Sequence, residues 1–298
     1  MNSKPIFRSE MIPDEVRQQV QQSLSKNIKA VQSVSGGSIN EAAKIRLDDG
    51  QSCFLKWNRT AGAEMFSKEE QGLKLLKSAG TGLSIPIVFA TGETKAGIGF
   101  LVQEFITRGQ PKPDSASTFG EALAELHRHH KKQFGLEYDN YIGRLPQANT
   151  WHKNWVDFFI DARIQPQLKM ATDSKKLGEE TIAHFESLYK LLPEIFPEEL
   201  PSLIHGDLWS GNYFYDETGK AAVYDPAVYY GLREIELAFT HLFGGFPSEF
   251  YRAYESVYPL QTGFSKRKDV YNLYPLLVHT NLFGGSYGQQ VKSIVKRF

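Results

Sequence analysis

Residues 203–230, "LIHGDLWSGNYFYDETGKAAVYDPAVYY", constrain the fold more than any other stretch of this 298-residue chain. Two short β-prone runs, "YFYD" and "AAVYD", flank the turn "ETGK", which predicts a hairpin. The segments around it carry apolar residues at three-and-four spacing: "FGEALAELHRHHKK", "WHKNWVDFFIDARIQPQL", "LGEETIAHFESLYKLLPEIF", "EIELAFTHLF" and "LYPLLVHTNLF". The prediction is therefore one hairpin embedded in a helical region. At its entrance stand His205, Gly206 and Asp207, with Asn212 five residues after the Asp; Asp225 follows the second strand, thirteen residues after Asn212. Because a hairpin returns the chain to its starting end, Asp207, Asn212 and Asp225 can converge there as three oxygen donors.

Phosphoryl transfer needs groups of these types. A carboxylate orients and accepts the proton of an attacking hydroxyl, while an amide oxygen and a second carboxylate hold Mg²⁺ on the phosphates. This region has no phosphate cradle, but the chain before it offers one. Val16, Val20 and Leu24 are spaced for a helix within 14–27, and "KAVQSVSGGSINEAAKIRLDDGQSCFLKW" then breaks into three runs separated by "SGGS" and "DDG", which predicts three antiparallel strands. A helix follows in "EMFSKEEQGLKLLKSAG", with Phe66, Leu73 and Leu76 inward and Gly80 as its stop. Two further strands in "IPIVFATGETKAGIGFLVQEFI" complete a small α+β unit. The glycines of "SVSGGSIN" let backbone amides approach phosphate oxygens. Lys56, central in the third strand, is placed to reach the α- and β-phosphates, with a helix carboxylate holding its ammonium. Of Glu64, Glu69 and Glu70, only Glu69 lies one turn after Phe66 and one turn before Leu73, so it is the choice.

Taken singly, each signal has a plainer reading. "SGGS" is an ordinary β-turn, Lys56 a surface lysine, Glu69 a solvated helix residue, and Asp225 before Pro226 the end of a strand. The set carries more than its members. Glycine turn, strand lysine, helix glutamate, linker, "HGD", Asn and Asp occur in the order of a protein-kinase-like fold. "TRGQPKPDSAST", with two prolines and a glycine, marks the boundary between a β-rich lobe with one main helix, 1–106, and a larger, mostly helical lobe, 107–298. The fold class expected is thus α+β and bilobal. His127, His129 and His130 in "HRHHKK" invite a metal-site reading, but they fall where a helix ends and cationic side chains suit its dipole, which is the reading adopted.

Composition narrows the alternatives. Lys+Arg and Asp+Glu balance at 34 each, so bulk charge does not point to nucleic acid. Cys53 is the only cysteine, which excludes an internal disulfide and a cysteine-rich metal site and fits a reducing compartment. The first residues have no apolar signal-like run, and no stretch reaches the 18 or so apolar residues of a spanning helix. The expectation is a cytoplasmic protein without a membrane partner.

The chain resembles the fructosamine kinase (ketosamine kinase) family, near the aminoglycoside and choline kinases. The resemblance rests on "HGDLWSGN" at 205–212, "YDPAVYYGLREIELAFTHLFGGFP" at 224–247, "DNYIG" at 139–143, "LPQ" at 145–147 and "HTNLFGGSY" at 279–287, and it covers nearly the whole chain. Trp209, where aminoglycoside kinases usually have a His, marks the fructosamine branch. The resemblance implies Asp207 as catalytic base, Asn212 and Asp225 as Mg²⁺ ligands, and Lys56 with Glu69 as the phosphate-binding pair. It implies Gly36, Gly37 and Ser38 as the loop over the phosphates of ATP, and Glu104 and Ile106 as the hinge that binds adenine through the main chain. On the sugar side it implies Trp209 as an apolar wall and His279 as a hydrogen-bonding partner. The implied substrates are ketosamines, free or on protein lysines, phosphorylated at the third sugar carbon in a deglycation repair. The family usually reads "YYGHRE" followed by an Asp, where this chain has Leu232 and Glu236. The alternatives are a kinase of the aminoglycoside or choline type, and a nucleotide-binding scaffold without transfer.

Overall fold

The computed structural model describes residues 12–34 and 40–298. The first part of the chain forms α1 (Asp14–Leu24), β1 (Ile28–Ser33), β2 (Glu41–Leu47), β3 (Ser52–Asn58), α2 (Ala63–Ser78), β4 (Val88–Glu93) and β5 (Gly99–Glu104). The strands make one five-stranded antiparallel sheet in the order β1-β2-β3-β5-β4, with β3 at its centre. Alternation along a strand sends successive side chains to opposite faces. Cys53, Leu55 and Trp57 therefore join Val16 and Val20 of α1 in one apolar cluster. Lys56 points the other way, paired in register with Leu101, which packs with Met65 and Phe66 of α2. The inward stripe of α2 continues through Leu73 and Leu76 into the main core of the helical part.

That part comprises α3 (Ser115–His127), β6 (Asn140–Ile142), β7 (Leu145–Gln147), α4 (Trp155–Phe158), a π-helical turn (Phe159–Ile164), α5 (Gln165–Asp173), α6 (Glu180–Ile195), β8 (Ser202–Ile204), β9 (Tyr213–Tyr215), β10 (Ala221–Val223), β11 (Tyr229–Gly231), α7 (Arg233–Thr240), α8 (Ser248–Val257), α9 (Phe264–Phe283) and α10 (Tyr287–Val295). The hairpin expected from "YFYD" and "AAVYD" is present as β9 and β10, with Phe214 opposite Ala222. It is not the only strand pair of this region, as the spacing had suggested. β8 pairs with β11, and β6 with β7. Each of these runs is three residues long, too short for alternation to show in the sequence. "WHKNWVDFFIDARIQPQL" is not one regular helix either. It starts only at Trp155, capped by the Asn154 Oδ1 that accepts from the Asp157 amide at 2.9 Å, and the π turn then carries Arg163 into the core.

α3 and α8 pack closely because Gly120 has no side chain: a Cβ there would sit 2.1 Å from the Phe250 carbonyl oxygen. Gly120→Ala is expected to lower stability by about 1–3 kcal/mol or more, although in an open helix the same change adds roughly 1 kcal/mol of stability. A urea denaturation midpoint at or above that of the parent protein would show that the two helices can separate freely. Among the described residues no helix is long and apolar enough to cross a membrane.

Candidate active site

Lys56 is buried beneath the sheet, and its Nζ donates to Glu69 Oε1 at 2.6 Å. The same ammonium donates to Asp225 Oδ1 in a very short contact, joining residues 169 apart in sequence. Burial works to lower the Lys56 pKa, but the Asp225 and Glu69 charges outweigh it and hold the group above the ordinary lysine value. Asp225 adopts a left-handed conformation, φ 57°, which costs a non-glycine residue about 1–2 kcal/mol. Asp tolerates that region better than most residues. Tyr224, just before it, donates its hydroxyl to the Gly211 carbonyl at 2.6 Å and so ties the second strand to the loop that precedes the first.

That loop is held from below. β8 and β11 bring His205 beside Ala227, whose amide donates to the His205 carbonyl at 2.9 Å. Gly206 lies so close to Ala227 that a Cβ would meet its carbonyl oxygen at 2.0 Å, and its φ of 83° favours glycine independently. From α7, Glu236 Oε1 accepts from the Gly206 amide at 2.7 Å, and Oε2 accepts from the His205 amide at 3.1 Å and from His127 Nε2 at 2.8 Å. A carboxylate only accepts, so His127 carries its proton on Nε2 and its Nδ1 accepts from the Tyr254 hydroxyl at 2.8 Å. Burial lowers the pKa of both His127 and His205, which disfavours their charged forms. His205 donates from Nε2 to the Tyr224 carbonyl at 3.0 Å and accepts from the Asp207 amide at 3.3 Å. His127 is thus neither a metal candidate nor a helix-end cation; it is a core residue supporting the loop.

Asn212 Nδ2 donates to the Asp207 carbonyl at 2.8 Å and to Asp207 Oδ2 at 2.9 Å. Burial and then the Asp225 charge raise the Asp207 pKa well above the usual carboxylate value, against the opposing Asn212 hydrogen bond. A carboxylate with raised proton affinity is a better acceptor for a hydroxyl proton.

Trp209 is half-buried and lies over Gly211, where a Cβ would fall 2.3 Å from its ring. The indole meets Phe243 edge-on at 5.8 Å between centroids, and Phe243 meets His279 at 4.8 Å. Trp209 and His279 therefore share an aromatic neighbour, Phe243, whose place beside them the local sequence pattern does not signal. His279 Nδ1 donates to the Pro275 carbonyl at 2.8 Å, and burial holds its pKa down. Its Nε2 is then an acceptor suited to a hydroxyl. Glu104 closes β5, its amide donating to the Ile87 carbonyl at 2.8 Å, and Ile106 is half-buried just beyond. The chain then runs along β9, where the Gly109 amide donates to the Tyr215 carbonyl at 2.8 Å. Gly36, Gly37 and Ser38 lie outside the described residues.

One buried cation gripped by two carboxylates, beside a loop carboxylate and an amide, is a set suited to phosphates and a hydroxyl. Residues 11–298 match the family model of fructosamine kinase. The chain belongs to the fructosamine kinase family. A probable ketoamine kinase of Synechocystis is 39% identical over 285 residues, covering 95% of each chain. The protein-ribulosamine 3-kinase, chloroplastic, of Arabidopsis thaliana is 39% identical over 275 residues, covering 90% of this chain and 82% of that one. The crystal structure of a candidate fructosamine-3-kinase of Haemophilus somnus superposes with a TM-score of 0.85 at 30% identity, over 95% of this chain and 96% of that one. Aminoglycoside phosphotransferase APH(4)-Ia, in ternary complex with AMP-PNP and hygromycin B, matches at 0.63 with 19% identity over 95% and 98%, a likeness of fold.

Proposed function

We propose that this member of the family is an ATP-dependent ketosamine 3-kinase acting in deglycation of amines or proteins. The observation that carries the reading is the joint placement of Lys56, Glu69 and Asp225 in one cluster and of Asp207 with Asn212 beside it. Lys56 binds the α- and β-phosphates of ATP, and Glu69 keeps its ammonium in place. Glu104 and Ile106 take the adenine at the junction of the lobes 1–106 and 107–298, and Gly36, Gly37 and Ser38 cover the phosphates. Asn212 keeps Oδ1 for a cation while its Nδ2 is engaged with Asp207, and Asp225 supplies carboxylate oxygen, a hard donor set that fits Mg²⁺. When bound, the ion neutralises charge on the phosphates. Asp207 accepts the proton of the sugar 3-hydroxyl and aims its oxygen at the γ-phosphorus. Trp209 and Phe243 form the apolar wall for the sugar, and His279 Nε2 accepts from one of its hydroxyls.

ADP release with MgATP and fructose-, ribose- or erythrose-derived lysine adducts tests this reading. Release is expected with an adduct and not with an aminoglycoside in competition. Nucleotide binding without any adduct-dependent release would identify a scaffold instead. Trp209→Ala is expected to raise the KM for the preferred adduct about tenfold, the equivalent of roughly 1.4 kcal/mol, while leaving the KM for ATP unchanged. An unchanged adduct KM would remove Trp209 from the acceptor site.

A further inference from the structure

The β6–β7 hairpin touches both elements whose carboxylates hold Lys56. At its base Asn140 Nδ2 donates to the Val228 carbonyl at 2.9 Å, and Gln147 Nε2 donates to the Ala227 carbonyl at 3.1 Å. These two carbonyls follow Asp225 and Pro226 directly. Gln147 Nε2 also donates to Asn140 Oδ1 at 2.7 Å, and Tyr274 of α9 donates its hydroxyl to Gln147 Oε1 at 2.6 Å. Asn149 donates to Asn140 Oδ1 at 2.8 Å and accepts from Arg163 at 2.7 Å, whose guanidinium lies 3.9 Å from the Tyr229 ring centroid. From the middle of β6, Tyr141 packs against the cluster of Met65, Phe66 and Leu101, the first two of them in the first turn of α2. Further along the same helix, a Cβ on Gly72 would lie 3.3 Å from Val228 and 3.4 Å from Pro226.

Asn140, Gln147, Asn149 and Arg163 are almost wholly buried. Well-packed apolar residues would serve stability at least as well as such a polar network, so its use lies in fixing one arrangement. Lys56 can be gripped from both sides only if α2 and the Asp225 segment keep their separation, and the chain that joins Lys56 to Asp225, 169 residues further on, does not enforce it. We propose that the β6–β7 hairpin is a strut between α2 and the Asp225 segment, with Asn140 and Gln147 as positioning residues that aim the Asp225 carboxylate. The role rests on the reading of Asp225 as a ligand of the nucleotide-bound cation.

Two tyrosines one turn apart on α9 provide a matched test. Tyr274 donates to Gln147 in the strut, while the Tyr271 hydroxyl donates to Glu234 at 3.0 Å, outside it. The Mg²⁺ concentration for half-maximal ATP binding is measured by titration without any acceptor, together with amide exchange over 225–230 in the nucleotide-free protein. Gln147→Met is expected to raise the Mg²⁺ requirement about 10-fold or more, and Tyr274→Phe to raise it less. Both variants should quicken exchange over that segment. Tyr271→Phe should lose thermal stability comparably to Tyr274→Phe and change neither readout. If Gln147→Met does not fold, Tyr274→Phe against Tyr271→Phe decides. An unchanged Mg²⁺ requirement in the strut variants, or an equal shift in Tyr271→Phe, overturns the strut. A wild-type protein that binds MgATP with the expected Mg²⁺ dependence but phosphorylates no ketosamine overturns the proposed activity alone.

Discussion

Asp207→Ala is expected to leave a folded protein that binds MgATP and transfers phosphate about 10²–10⁴-fold more slowly. The two halves of that expectation come from the same environment. Asp207 is half-buried beside Asp225, and desolvation and that charge both raise its pKa, so its ionised form is held at a cost to the fold. Removing the carboxylate relieves that cost, and Asn212 still donates to the residue-207 carbonyl at 2.8 Å. The urea midpoint should therefore stay level or rise while turnover collapses. Stability and activity would move in opposite directions, which general damage to the loop cannot produce. Near-normal turnover in the purified variant would remove Asp207 from the role of base.

Glu236→Ala is expected to do the reverse and lower stability by about 3–5 kcal/mol, as when one partner is taken from a buried charged contact. The alanine leaves the His205 and Gly206 amides and His127 Nε2 without their acceptor in a core that admits no substitute. That is a large share of the roughly 5–15 kcal/mol by which a domain is stable. Burial alone would raise the Glu236 pKa, but His127, His205 and the Gly206 amide hold it below the ordinary value. Glu236→Gln, which keeps one acceptor oxygen, should lose less. A Glu236→Ala protein with the parent's denaturation midpoint would show that the loop does not depend on this residue.

The sequence carried the five strands in chain order and the pairing of the first three, because turn residues and period-two runs report on neighbours only a few positions away; that β5 rather than β4 lies beside β3 came from the structure. It put Lys56 in the third strand and Glu69 on the inward stripe of α2; the structure sets their charged atoms 2.6 Å apart. It did not show what Glu236 does. A carboxylate at that position read as a departure from the usual family Asp, and only its place in the apolar run "EIELAFTHLF" hinted that it is buried. The roles of Asn140 and Gln147 are likewise not legible in "DNYIG" and "LPQ", since their partners lie 88 and 80 residues away.

By itself, then, the sequence determined the kinase-like order of elements, the hairpin of β9 and β10, and the residue types for phosphoryl transfer. The tertiary structure decided which of those residues meet: Asp225 on Lys56, Glu236 under the His205–Asp207 loop, Phe243 between Trp209 and His279. The division has a physical cause. Helices, strands and turns are set by contacts a few residues apart, whereas a buried polar group finds its partner only when packing brings distant segments together and excludes water from both.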